Sequence, residues 1–226
     1  MLKLCNMSSN RKAYLMAVKL FVLGLPGSGK SSVSRHITAY TQHKGWEISH
    51  FSDHIILEQM FLADIKHKQF KPADHGGFDV IDFTVCDIAL QRLEQEINQH
   101  LVSAKSNKLI VIEFSRNDYR WAFQQFSDQF LLDAYFLYLK VDLEICKKRI
   151  RERITHPSTE DDFFVSENIF KSYYNKDDGQ SIQQVLTEVY GIDIQRVMII
   201  DNNESLSESM AQVHQFVDAM CGSERL

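Results

Sequence analysis

Two rhythms of apolar residues divide the chain. Short apolar runs occupy residues 19–23, 109–112, 134–141 and 197–200, with a weaker, half-polar run at 47–51. Runs of this length, rich in β-branched and aromatic side chains, predict strands, and the fully apolar ones predict strands covered on both faces. In the intervals, apolar positions return every three or four residues. Val33, Ile37 and Tyr40 mark a helix within 32–40, and Ile81, Val85, Ala89, Leu93, Ile97 and Leu101 mark a long one across about 82–103. A further helix is predicted over 143–154, and a last one carries Leu206, Met210, Val213, Val217 and Met220, with Ser205 and Glu208 spaced as a capping box. Strands alternating with helices predict an α/β fold: a three-layer α/β/α sandwich around a mainly parallel five-stranded sheet, with ligands at the carboxyl ends of the strands.

Between the first strand and the first helix stands Gly24-Leu25-Pro26-Gly27-Ser28-Gly29-Lys30-Ser31. The spacing is that of a phosphate-binding loop, and a strand before it with a helix after it is the context this motif requires. The residue types follow from the chemistry. Glycines let successive backbone N–H groups approach phosphate oxygens with no Cβ in the way, and the helix end adds positive charge. Lys30 supplies a point charge for the β- and γ-phosphates, the Ser31 hydroxyl is a magnesium ligand, and Ser32 continues the cradle into the helix. The bland alternative is a Gly/Ser turn that happens to include a lysine.

Composition narrows the partners. The 226 residues are 44% hydrophobic and 24% charged, with three prolines and nine glycines, which suits one ordered domain. Residues 1–18 read as an N-terminal arm and 19–226 as the domain. A net charge of −5 gives no basic field for nucleic acid or anionic lipid, so a small-molecule partner is expected. No stretch approaches the apolar length of a membrane span. Cys5, Cys86, Cys146 and Cys221 are scattered without a Cys-x-x-Cys pair, which favours reduced thiols and a cytoplasmic setting over disulfides or zinc.

Two carboxylates and one basic cluster are candidates for the chemistry. Asp53 follows the weak second strand and Glu113 closes the third, so in such a sheet both lie beside the γ-phosphate. There one holds magnesium and the other accepts a proton, the sequence leaving open which does which. Asp53 also stands where a helix cap would. Arg149 and Arg153, four apart in Lys147-Lys148-Arg149-Ile150-Arg151-Glu152-Arg153, share a helix face. They suit a segment that closes over a transferring phosphoryl group, the alternative being a solvated basic helix end.

These residues carry a resemblance. The loop at 24–31, the Arg149-Ile150-x-x-Arg153 pattern and Val197-Met198-Ile199-Ile200-Asp201-Asn202-Asn203 are similar to the small P-loop kinases, the superfamily of adenylate, shikimate and dephospho-CoA kinases. The resemblance spans about residues 19–220. It implies a P-loop NTPase fold with a short lid at about 149–175, ATP and magnesium as cofactors, Arg149 and Arg153 as catalytic phosphoryl clamps, and a turn at 201–203, with Asn202, beside the adenine. The stretch 155–164 lacks the long insertion of adenylate kinase, and no one member's substrate is carried over.

The acceptor side is expected from about 53–105. Its stretch 64–79 holds Lys66, His67, Lys68, Lys71, His75, Gly76 and Gly77 with little apolar periodicity, as in a loop shaped around a polar ligand. Lys71, Arg92, Arg116 and Arg120 are the candidate substrate contacts. Asp74-His75-Gly76-Gly77 and Asn175-Lys176-Asp177-Asp178 spell two GTPase patterns, but neither follows the apolar strand it requires. The sequence therefore reads as an ATP-dependent kinase for a small molecule, the alternative being an ATP-binding sensor without an acceptor.

Overall fold

In the computed structural model the chain is described over residues 17–73, 76–102, 107–155, 165–174, 181–204 and 206–222. Residues 1–16 of the expected arm, residues 156–164 and 175 of the expected lid, both GTPase-like tetrads in part or whole, and Ser205 of the expected capping box lie outside the described residues.

Five parallel strands make the sheet: β1 (Ala17–Gly24), β2 (Glu47–Ser52), β5 (Lys108–Phe114), β6 (Ala134–Lys140) and β7 (Val197–Asp201), in the order β2-β5-β1-β6-β7. They are the five apolar runs of the sequence. The central β1 shows why alternate positions must both be apolar. Phe21 and Leu23 enter one core with Ile110, Ile112, Phe114, Phe136 and Tyr138, while Val18, Leu20 and Val22 enter the other with Leu109, Val111, Leu137 and Leu139.

Helices cover both faces. On the first lie α2 (Asp53–Ala63), α3 (Thr84–Val102), α4 (Tyr119–Phe123), α5 (Asp128–Leu132) and the short α8 (Ile182–Gln184), which runs into a π-helical turn at Val185–Val189. On the second lie α1 (Lys30–Gln42) and α9 (Leu206–Gly222). The ladder of α3 buries Val85, Ala89, Leu93 and Ile97 as its spacing predicts. A third apolar cluster ties α6 (Leu143–Thr155) and α7 (Glu167–Ser172) to the phosphate loop through Leu25, Cys146, Ile150 and Phe170.

One segment departs from the expected loop. Within 64–79 an antiparallel hairpin forms from β3 (Phe70–Pro72) and β4 (Phe78–Val80). Three-residue strands leave no periodicity to read. Side chains hold this hairpin instead: Asp64 accepts the backbone N–H groups of Lys68, Gln69 and Phe70, and the fully buried Phe70 meets Phe78 edge to face at 5.3 Å. Among the described residues, no helix is long and apolar enough to cross a membrane.

Candidate functional site

The phosphate loop lies where β1 gives way to α1, at the carboxyl end of the sheet. Gly29 occupies the N-cap of α1 with φ 97°, a left-handed conformation, so no side chain caps this helix and its first N–H groups stay open to a ligand. Gly27, at φ 81°, stands so near α6 that a Cβ would come within 2.6 Å of the Cys146 carbonyl oxygen. Two polar side chains brace the loop from outside. The Tyr119 hydroxyl accepts from Gly24 N (2.8 Å) and donates to Gly24 O (3.2 Å), and Asn202 Nδ2 donates to Ser28 O (2.8 Å). Ser28 is fully buried and its Oγ has no hydrogen-bond partner.

Lys30 Nζ donates to Gly24 O, Leu25 O and Ser115 Oγ at 3.1, 3.0 and 2.7 Å. Burial pushes its pKa down to about 8, Glu113 leads the anions that oppose the shift, and Arg153 adds to it. A buried ammonium resting on carbonyl oxygens is short of negative charge, which phosphate would supply. Ser31 Oγ donates to Glu113 Oε2 at 3.4 Å. A hydroxyl and a carboxylate that converge next to the phosphate loop are hard oxygen donors of the kind magnesium takes, so these residues would fit that ion.

Asp53 and Glu113, paired in the sequence reading, have different surroundings. Asp53 is the first residue of α2, but the cap is Ser52, whose side chain accepts from His54 N. Asp53 is buried, and its carboxylate accepts instead from Arg116 NH1 at 2.5 Å, across 63 residues of sequence. Arg116 also donates to Ser115 O and Cys86 O. Both members of this ion pair line the same cavity as Lys30, Ser31, Glu113 and Arg153.

The remaining candidates separate. Gly29, Pro26 and Arg153 line the cavity, while Leu25 is buried in the α6 cluster and Ser32 is exposed. Arg149 does not join Arg153: its guanidinium turns to the carbonyls of Asn202 (2.9 Å) and Asn203 (3.4 Å), one helical turn short of the cavity. Asn202 itself is 4% exposed and holds the phosphate loop. Arg92 and Arg120, expected in the cleft, are exposed on α3 and α4 away from it. Lys71 is exposed on β3 and reaches Asp79 Oδ2 at 3.6 Å.

Several lining residues carried no signal of their own. Ser115, Tyr173 and Tyr174 line the cavity, and Tyr174 donates to Ser115 O. Tyr119 reads as an ordinary core aromatic until its hydroxyl is seen on Gly24. Phe78, Asp79 and Phe83 lie within the segment expected for the acceptor, but nothing marked them individually. Burial raises the pKa of the cavity thiol Cys86 to about 11, so it stays protonated at neutral pH.

Solved structures share this fold at low identity. Kti12 from Chaetomium thermophilum in complex with ADP-AlF3 has a TM-score of 0.55 at 14% identity, over 90% of this chain and 97% of that one. The APS kinase CysC of Mycobacterium tuberculosis in complex with AMPPNP and APS has a TM-score of 0.54 at 16% identity, over 90% and 99%. An unliganded sugar kinase from Janibacter sp. HTCC2649 has a TM-score of 0.52 at 14% identity, over 89% and 95%. No curated protein sequence matches the chain. A family model described as AAA domain matches residues 20–175, from β1 through the phosphate loop to just past α7, and the chain belongs to that family.

Proposed function

We propose that the protein is a magnesium-dependent phosphotransferase that moves the γ-phosphoryl group of ATP to a hydroxyl of a small molecule. The observation that carries this reading is that Lys30, Ser31, Glu113 and Arg153 line one cavity together with Asp53, Arg116 and the β4–α3 segment. A nucleotide-binding module needs the first group alone.

The roles follow from position. Backbone N–H groups at 27–31 and Lys30 hold the β- and γ-phosphates, and Ser31 with Glu113 holds magnesium, which neutralises phosphate charge when bound. Arg153, at the end of α6, meets charge developing on the transferring group. Asp53, oriented by Arg116, accepts the proton of the attacking hydroxyl. The two turns of β1–α1 and β7–α9 form the nucleotide side, with Asn202 and Arg149 fixing the second.

ADP release from Mg·ATP, measured with and without pooled metabolites, tests the reading. Acceptor-dependent release, abolished in Lys30→Ala, supports it; ADP formation indifferent to every acceptor would sink it. That second outcome favours an ATP-binding module without an acceptor, a reading encouraged by the engagement of Arg116 and Arg149 with protein groups rather than with open space.

A further inference from the structure

The cavity has a wall that phosphate chemistry does not use. Leu57, Phe78, Val80, Phe83, Ile169 and Tyr173 line it. Phe83 and Tyr173 stack face to face, with centroids 4.2 Å apart and planes 2° from parallel, and Phe78 stacks on His54 at 5.3 Å and 14°. Walls of this kind accept flat rings.

Two polar groups on that cavity lack partners. Asp79 is 5% exposed and its Oδ1 has no hydrogen bond, while Oδ2 faces Lys71. Arg116 is equally buried; its terminal nitrogens serve Asp53, Ser115 O and Cys86 O, and its Nε–H is bare. A buried acceptor and a buried donor, both unpaired, are costly to keep unless a ligand completes them.

Charge limits what that ligand carries. The cations lining the cavity are Lys30, Arg116 and Arg153. Lys30 belongs to the phosphate loop, Arg153 to the lid side, and Asp53 neutralises Arg116. An acceptor bringing its own phosphate or carboxylate would find no cation to spare among the described residues and would face Asp79.

We propose that the acceptor is a nucleoside and not a nucleotide or an organic acid, a reading that rests on the phosphotransferase function above. The base lies against the aromatic wall, one N–H of its edge donates to Asp79 Oδ1, and a ring nitrogen or carbonyl oxygen accepts from Arg116 Nε. A sugar hydroxyl attacks the γ-phosphorus. The new oxygen–phosphorus bond forms as the bond to the β–γ bridging oxygen breaks, ADP leaves, and the hydroxyl proton passes to Asp53.

Calorimetric titration of the full chain, saturated with AMPPNP, tests this with adenosine, guanosine, cytidine, uridine and thymidine, their 5′-monophosphates, and shikimate and gluconate. At least one nucleoside is expected to bind tenfold or more tightly than its monophosphate and than both acids. Asp79→Asn should weaken that nucleoside about ten- to hundredfold, and Tyr173→Leu, which removes the stacking face, gives a second variant should the first not fold. Tighter binding of a monophosphate or an acid, no nucleoside bound while AMPPNP binds, or unchanged affinity in both variants overturns the proposal. ADP formation is measured separately, so that a nucleoside bound without ADP release leaves the subsite standing and refutes phosphoryl transfer instead.

Discussion

Asp53 is expected to matter twice, and the two effects come apart in one set of variants. Its carboxylate and the Arg116 guanidinium are 7% and 5% exposed and meet at 2.5 Å. Asp53→Ala leaves Arg116 buried with only carbonyl partners, and breaking one side of a buried pair costs about 3–5 kcal/mol. For a domain of this size each kcal/mol shifts Tm by roughly 2–4 °C, so the midpoint should fall by about 6–20 °C. Replacing both members by apolar residues, Asp53→Leu with Arg116→Met, removes the unpaired charge and should restore most of that loss. Turnover should not return, because the proton acceptor is gone; per folded molecule, Asp53→Asn should lose on the order of 10² to 10⁴ in rate. Calorimetric melting and acceptor-dependent ADP release on these variants, with Asp53→Leu and Arg116→Met also made singly, give both readouts. If the double variant melts as low as the sum of its singles, the pair is not coupled. If Asp53→Asn keeps its rate within tenfold, Asp53 only anchors Arg116.

The remaining expectations concern the phosphate side. Because Lys30 has a pKa of about 8 in the ligand-free site and phosphate favours its charged form, ATP binding takes up a proton above that pH. Affinity should be flat below pH 7 and fall by up to about tenfold per unit above 8, and a titration flat to pH 9.5 would refute the assignment. Arg153→Ala should lower kcat on the order of 10² to 10³ with little change in ATP affinity. Arg149→Ala should instead weaken ATP binding by loosening the 202–203 turn, and Arg151→Ala, which removes a surface ion pair with Glu167, should leave both constants alone; equal kinetic losses at all three would argue against this division. Tyr119→Phe orphans the buried N–H of Gly24, a loss of about 1–3 kcal/mol, to be read as a lower Tm together with a raised KM for ATP; wild-type values for both would mean that the hydroxyl does not hold the loop.

What the sequence made legible was whatever a contiguous pattern specifies. The phosphate loop needs eight neighbouring positions, and the strands need only apolar runs, so both stand where the chain predicts them. Contacts across long sequence separations left no such trace. Asp53 and Arg116 were each singled out, one as base or metal ligand and one as substrate contact, and no spacing rule showed that they pair. Arg149 and Arg153 do share a helix face, but one turn of helix is enough to put the first against the 202–203 turn and the second at the cavity. Arg92 and Arg120 had only their charge to recommend them, and charge on a helix is usually solvated. The β3–β4 hairpin escaped because its order comes from the Asp64 carboxylate and the Phe70–Phe78 contact, not from strand periodicity.

The two halves of the cavity are built on different principles, and this bears on how the site selects its ligands. The phosphate half is fixed before any ligand arrives: Tyr119 and Asn202 hold the loop at Gly24 and Ser28, Gly27 lies against the α6 backbone, and Lys30 rests on two carbonyls and a hydroxyl. Little conformational entropy remains to be lost there, so triphosphate affinity is set by charge and geometry alone. The acceptor half gathers side chains from α2, the β4–α3 segment and α7 with its following turn, and it leaves two polar atoms incomplete. A ligand that completes both gains what the free protein lacks, whereas one that completes neither leaves two buried polar atoms unpaired. On the proposed function, discrimination between acceptors would therefore rest on the edge of the ligand rather than on its bulk, since sites built to hydrogen-bond a substrate reject analogues that lack the matching group far more strongly than apolar pockets reject a missing methylene.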